Sequence, residues 1–498
     1  MMSSLVLVLL TFCLLILAAV SLWFLVQQPW NVAAGLVLLC VFFYLFPALT
    51  WMYGYQSSFA YGFSTVGTNV TFEDDVSALA MTMGTTALLL IGGLSVSPRR
   101  ATVGTAPRGV TSSHRLHGRN HSNEMLVFLV AAWIVLIVML RQKSGLSLVE
   151  IVLPFRKAKA DVYGSFYVLY LAMYIPLAVG AVLAVRQQRP RFLSFVCFAV
   201  SMAVALGSAQ RRNVLVIVLF TIALAGTRRW AAVSMEEKIR APRCHRPRST
   251  SWVGLLLAGA ACLTLGPILW WMRNWFTGMI NPLEEIIPPW ERKGFVELLF
   301  GSASAGFPTF LLVREWVALD GVQWGASLLA TLCVVIPRPL WPDKPVGAEL
   351  LLQQQFGLTT MPSMFLINEL YLNAGLLCLP LALAVGRMLS RIHHHCCRLG
   401  SPMARIVVAA MVANLITIFK NGLGPFAVNV VFIVGLCWCG MWRWEPAARP
   451  AEESGQSLRR VRLPRTDAGH DPPMPLGALL HGKTSLDQQR KDRNHVRN

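Results

Sequence analysis

The sequence predicts an all-α polytopic membrane protein of about 11 transmembrane helices, and three observations predict it. Of its 498 residues 55% are hydrophobic and 14% charged, the balance of a chain whose main solvent is lipid. Apolar runs long enough to cross a bilayer recur along the first nine-tenths of the chain. The runs are continuous and do not alternate apolar with polar residues, which excludes a membrane β-barrel.

In order, spans are expected at residues 4–26, 31–51, 78–96, 124–140, 164–185, 192–207, 213–227, 251–272, 366–389, 405–419 and 426–442. The first run, Leu5 to Val26, stands where a signal peptide would. It has no basic leading region, it is long, and a second apolar run follows at once, so it is read as a span. Residues 1–442 then form one transmembrane domain holding a large extracytoplasmic segment at 272–365. Residues 443–498, rich in Pro, Gly and Arg, read as a disordered, basic, cytoplasmic tail. Most of the 11 cysteines lie in spans or basic loops, with only Cys333 in a large polar-flanked loop, so no disulfide framework is expected.

Sidedness follows from charge. Five segments (97–123, 186–191, 228–250, 387–405 and the tail from Arg443) hold 30 of the 44 Lys and Arg but, with Glu124 at the edge of the first counted there, only 10 of the 24 acids. One side of the membrane therefore carries the whole net charge of +20, and the positive-inside rule makes it the cytoplasmic side. Cationic loops there suit an anionic inner leaflet, so the basicity is no argument for nucleic-acid binding. The N-terminus is placed outside and the C-terminus inside. The outer face then holds the loop from Met52 to Val76, the loop from Arg141 to Tyr163, short turns near Arg211 and Lys420, and the segment Met272 to Phe365. In that segment Phe295 to Val313 and Gly325 to Ile336 are apolar and are read as dipping into or lying along the bilayer; if both span, the count becomes 13.

The densest polar chemistry runs from Val334 to Gly375. Pro337, Pro339, Pro342 and Pro345 stiffen the chain and hold Arg338, Trp341, Asp343 and Lys344 on an extended platform. Trp341 either stacks on a sugar ring or anchors the loop at the interface. A helix opening near Pro362 would place Glu369 and Asn373 one turn apart on one face, with Tyr371 between them. Glu369 is the carboxylate chosen as general base; the plainer reading is a helix-start glutamate that complements the dipole. The turn GSAQRRN carries Arg211 and Arg212 against the positive-inside bias, either as snorkelling side chains or as a phosphate clamp. Lys420, in the turn FKNGLGPF, is a helix-end cap or a further cation of the site. Glu73, Asp74 and Asp75 form an acidic triplet read as a solvated loop before it is read as a metal site. The tract from His393 to Cys397 has the wrong spacing for structural zinc and reads as the flank of a basic cytoplasmic loop. No metal and no cofactor is expected.

The order of these features resembles the Wzy-type oligosaccharide repeat-unit polymerases, the O-antigen polymerase family. It comprises an outer turn with arginine, a long basic cytoplasmic loop, a large outer segment ending in IPRPLWPDKP, then SMFLINELYLNAG entering a span. The match covers Gly207 to Phe426. It implies a GT-C-like, metal-independent glycosyltransferase at the outer face of a bacterial inner membrane. Such an enzyme moves a growing polymer from a polyprenyl diphosphate carrier onto the next lipid-linked repeat unit. By resemblance the diphosphate falls to Arg211 or Arg212, Arg338 and Lys344, with Lys420 where the family often has arginine, and catalysis falls to Glu369. Ala374 stands where the family usually has an aromatic. Trp341, Tyr371 and Asn373 orient sugars. The partners implied are the polyprenyl-diphosphate-linked oligosaccharide and membrane lipid, leaving open a chain-length regulator and a flippase. Two rivals stand: a ligase of similar topology, and a lipid-linked oligosaccharide flippase, expected to show ionisable groups and broken helices along a central path.

Overall fold

In the computed structural model the described residues fall mainly within 2–52, 72–96, 122–147, 166–239, 306–333 and 341–441, with breaks at several connections. Every regular element among them is helical. In chain order they are α1 (Met2–Gln27), α2 (Val32–Cys40), a π-helical turn (Val41–Leu45), α3 (Phe46–Met52), α4 (Phe72–Leu94), α5 (Ser122–Ser144), α6 (Phe166–Arg186), α7 (Arg191–Gly207) and α8 (Arg211–Ile239). Then follow α9 (Gly306–Asp320), α10 (Ala326–Leu332), α11 (Ala348–Gln355) and α12 (Leu366–Ala374). After a 3-10 turn (Gly375–Leu377) come α13 (Cys378–Leu399), α14 (Pro402–Ala413), α15 (Leu415–Asn421) and α16 (Leu423–Met441). The chain divides into two compact units, Met1–Trp444 and Glu445–Asn498. The second, with the span expected at 251–272, lies outside the described residues.

This is a multi-pass membrane architecture. Six described helices are long and apolar enough to cross a bilayer, or seven if α14 and α15, bent by 42° at Asn414, count as one span. α1 shows why the solvent is lipid. Leu7, Leu14 and Leu17 face inward, while Leu5, Val8, Leu9, Phe12, Leu15 and Ile16 are exposed, so its outer face is as apolar as its inner one. α7 and α8 carry shorter apolar stretches, Phe192–Leu206 and Arg212–Thr227, and α8 runs on past its stretch to Ile239.

Helix packing relies on small residues and on satisfying every freed backbone group. α4 and α13 meet at glycines: a Cβ on Gly92 would lie 2.1 Å from the Leu383 carbonyl oxygen, and one on Gly386 2.0 Å from that of Leu89. In α6, Pro176 has no N–H for the Ala172 carbonyl. The Trp133 indole of α5 supplies it instead, donating Nε1–H to Ala172 O at 2.8 Å. Ser201 and Ser194 of α7 donate to the carbonyls of Met173 and Gly180 at 2.8 and 2.7 Å.

Arginines fasten both ends of α4. Arg387 of α13 donates to Ser95 Oγ at 2.9 Å, and Arg186 at the end of α6 donates to the Gly440 carbonyl at the end of α16. At the opposite helix ends Arg314 of α9 donates to the Asp74 carbonyl at 2.8 Å and to Ser77 Oγ at 3.0 Å, with the Asp74 carboxylate 3.8 Å away.

Two expectations are corrected here. Glu73, Asp74 and Asp75 do not sit in a loop but form the first turn of α4, where acids complement exposed N–H groups and Arg314 fastens one of them. The His393–Cys397 tract is not loop either, because α13 runs on to Leu399; His393 is buried, with Nε2 3.6 Å from Cys397 Sγ one turn on. Among the described residues no three metal-ligating side chains converge.

Gly386→Ala is expected to lower the thermal unfolding midpoint in detergent, at a cost of about 1–3 kcal/mol from overpacking. Gly435→Ala, whose Cβ would meet nothing within 4 Å, is the control and leaves it unchanged. Equal midpoints for the two variants contradict the close α4–α13 contact.

Candidate functional site

Glu369 is 3% exposed, on a nine-residue helix whose two ends are set by backbone chemistry. The helix does not open at Pro362. Residues 362–365 form no regular element and α12 starts at Leu366, with Phe365 extended and the Met364 N–H given to the Glu349 carboxylate. At the other end Gly375, with φ +55°, stops the helix. A buried carboxylate needs donors, and Glu369 takes them from the start of α16. Its Oε2 accepts from Leu423 N–H at 2.5 Å, and the Gly424 N–H also donates to the carboxylate. These N–H groups have no intrahelical partner, and the positive end of the helix dipole favours an anion there.

Gly422 makes the contact possible. Its φ of +81° and ψ of −170° are open only to glycine, and a Cβ there would lie 2.1 Å from Glu369 Oε2. The preceding turn ends α15 and carries Lys420, partly buried.

Other elements complete the surroundings. The Tyr44 hydroxyl, from the π-helical turn, donates to Asn368 Oδ1 at 2.8 Å, and Asn368 Nδ2 donates to the Gly306 carbonyl at 3.1 Å. That chain ties α12 to α9, with Tyr44 packed against Phe365 at 5.4 Å. Arg212, in the first turn of α8, donates from Nη2 to the Tyr170 hydroxyl at 2.9 Å.

The residue that sequence reasoning missed is Glu349, in the first turn of α11. Burial pushes its carboxyl above the usual range, opposed by the Met364 N–H and by the charges of Arg212 and Lys420. Glu349 and Glu369 are also near enough for their charges to act on one another. The charges of Arg212 and Lys420 thus act on Glu349 and that of Glu349 on Glu369, which links α8, α11, α12 and α15, stretches far apart in the chain. The signal in the sequence was slight: one acid opening AELLLQQQ, just past the proline platform.

Of the other expected site residues, Arg211 opens α8, but its side chain lies outside the described residues, as do Arg338 and Lys344 altogether. Trp341 is partly buried. Tyr371 packs its ring on Phe310 at 5.1 Å. Asn373 does lie one turn from Glu369, but its amide is engaged. Nδ2 donates to the Glu369 carbonyl at 2.7 Å and to Ser327 Oγ at 2.6 Å, and Oδ1 accepts from Gly325 N–H at 3.0 Å. Both amide hydrogens are used, so Asn373 braces α12 against α10 and has no free donor for a sugar.

No family model matches the chain, and no curated protein or solved structure matches it.

Gly422→Ala is expected to drive the Glu369 carboxylate off the start of α16 and to cost about 1–3 kcal/mol in backbone strain alone. Thermal unfolding in detergent checks it. A variant as stable as the parent contradicts the contact.

Proposed function

We propose that the chain polymerises polyprenyl-diphosphate-linked oligosaccharide repeat units at the outer face of a bacterial inner membrane, as a metal-independent glycosyltransferase of the Wzy type. The observation that carries this is that the buried Glu369 sits on the start of α16, just past Lys420, and is joined through the charge of Glu349 to Arg212 and Lys420; the resemblance points to Glu369, to Arg211 or Arg212, and to the Lys420 turn from separate stretches of sequence. We infer eleven spans in a GT-C-like arrangement: the seven described above, 32–52 with its π-helical turn, the shorter apolar stretches of α7 and α8, and 251–272.

The reaction is a displacement at an anomeric carbon. An acceptor hydroxyl oxygen bonds to that carbon and gives its proton to Glu369, while the carbon–oxygen bond to the diphosphate breaks and the carrier leaves with the electron pair. A carboxylate offers about four lone-pair sites, so two backbone donors leave room for an acceptor hydroxyl. Arg212 and Lys420 hold the developing phosphate charge. Arg211, Arg338 and Lys344 join them by resemblance, with Trp341 and Tyr371 toward the sugars. A ligase that hands the finished polymer to another acceptor uses the same donor and leaving group.

One observation favours the flippase instead. α12 is broken from α13 by the turn at Gly375–Leu377, and α14 from α15 at Asn414, both near the buried carboxylates. Broken helices beside ionisable groups are a feature of transporters. Here the breaks also seat Glu369 and Lys420, which the enzyme reading needs.

Purified protein with synthetic polyprenyl-diphosphate repeat units is expected to yield a polymer ladder that resists chelator. Glu369→Gln and Arg212→Ala are each expected to lower the rate at least about 100-fold. No ladder, with lipid-linked sugar crossing a vesicle bilayer instead, contradicts the enzyme.

A further inference from the structure

The hydrogen bond between Arg212 and Tyr170 leaves a hydrogen unspent. Arg212 Nη2 donates to the Tyr170 hydroxyl at 2.9 Å, and a guanidinium has no lone pair with which to accept. The tyrosine oxygen is therefore the acceptor, and its own O–H has to point elsewhere. Among the described residues nothing accepts it. Arg212 is in a similar position. Tyr170 is its one hydrogen-bond partner among the described residues, no carboxylate among them forms an ion pair with it, and its other N–H groups remain. Both side chains are partly buried, so these donors are neither spent on the fold nor fully given to water.

The hydroxyl is also held in place. Tyr170 stands one turn into α6 and Arg212 in the first turn of α8. The Tyr170 ring stacks on that of Tyr174, the next turn of α6, with centroids 5.6 Å apart and planes inclined by 29°. Tyr174 is fully buried and tilts against Phe432 of α16 at 6.1 Å. α16 is the helix whose start holds the Glu369 carboxylate, so this row of rings ties Tyr170 to the element that seats the proposed base. A phenol held by stacking loses little freedom when it makes one more bond.

We propose that Tyr170 is a phosphate-binding residue: its hydroxyl, oriented by Arg212, donates to a phosphoryl oxygen of the lipid diphosphate, so that the two side chains present adjacent donors to one phosphoryl group. The diphosphate as ligand rests on the polymerase reading above. The role of Tyr170 goes beyond it, since neither charge nor the resemblance points to this residue. Arg212 supplies the positive charge, and a hydroxyl bonded to a phosphate oxygen makes a charge-assisted bond. A tyrosine adds that bond without a second cation to desolvate.

Binding of farnesyl diphosphate and of inorganic pyrophosphate to the full-length protein in detergent is measured by calorimetry for wild type, Tyr170→Phe, Arg212→Ala and the double variant. Tyr170→Phe keeps the ring and its stacking, and is expected to weaken both probes about 10- to 100-fold. The double variant separates a direct bond from mere support of Arg212. It is expected to bind at least about fivefold more weakly than Arg212→Ala, because a hydroxyl that touches phosphate still counts when the guanidinium is gone. Tyr174→Phe is the control: its hydroxyl is buried with no partner among the described residues, and its removal is expected to leave both affinities unchanged. Equal affinities in Arg212→Ala and the double variant overturn the bond to phosphate, as does wild-type affinity in Tyr170→Phe, and in both cases the polymerase reading stands. A loss in Tyr170→Phe with farnesyl diphosphate alone puts the contact on the prenyl chain and overturns the bond too. If Tyr170→Phe does not fold, or Arg212→Ala binds too weakly to measure, solid-state NMR of wild type with labelled tyrosine Cζ and bound farnesyl diphosphate decides. Carbon–phosphorus dipolar coupling supports the bond, and its absence overturns it. No binding of either probe to wild type overturns both this bond and the polymerase reading.

Discussion

A carboxylate withdrawn from water needs hydrogen-bond donors from the fold, and in this protein the start of α16 supplies them to Glu369. Much of the architecture around the site serves that contact. α15 must end so that α16 can begin with unpaired N–H groups, and the residue between them must be glycine in a conformation closed to other residues. α12 must start at Leu366 and not earlier, which requires a non-helical approach through Met364. It must also be held at a fixed depth. Asn368 and Asn373 do this from two faces of the helix, one through Tyr44 and Gly306, the other through Ser327 and Gly325.

The cost of such an arrangement explains why four ionisable groups meet where one would be hard to bury. Glu349 brings a second carboxylate, and the charges of Arg212 and Lys420, both partly exposed, offset it. The broken helices belong to the same design, since a helix break in a membrane protein exposes backbone groups that a buried site can use.

The membrane architecture was legible in the sequence because the bilayer imposes one long apolar run per crossing, and the described helices fall on the expected runs. Charge adds an expected sidedness, which puts Arg387 and Arg186 on the basic side; in the structure Arg387 fastens one end of α4 and Arg314 the other. What hydropathy cannot read is where a helix continues past its apolar stretch. α4 and α13 both do, taking in the acidic triplet and the histidine tract, because end turns need hydrogen bonding and not lipophilicity. Nor can one sequence show partners across helices. Pro176 is visible as a gap in α6, but nothing in the chain says that Trp133 fills it. Glu369 was found because it stands alone among apolar residues, whereas Glu349 opens a polar helix and gains meaning only from Arg212 and Lys420 beside it. Asn373 was placed on the correct face and given the wrong work, since spacing shows neighbours but not which hydrogen bonds are already made.

The central claim is that Glu369 and its two cations form one site for a lipid diphosphate and its acceptor. A structure of the protein in a lipid nanodisc with a bound, non-hydrolysable polyprenyl-diphosphate sugar tests it most directly. The account predicts the diphosphate between Arg212 and Lys420, with the anomeric carbon on the side of Glu369. Density for the diphosphate at the opposite helix ends, near Arg186 and Arg387, would contradict it.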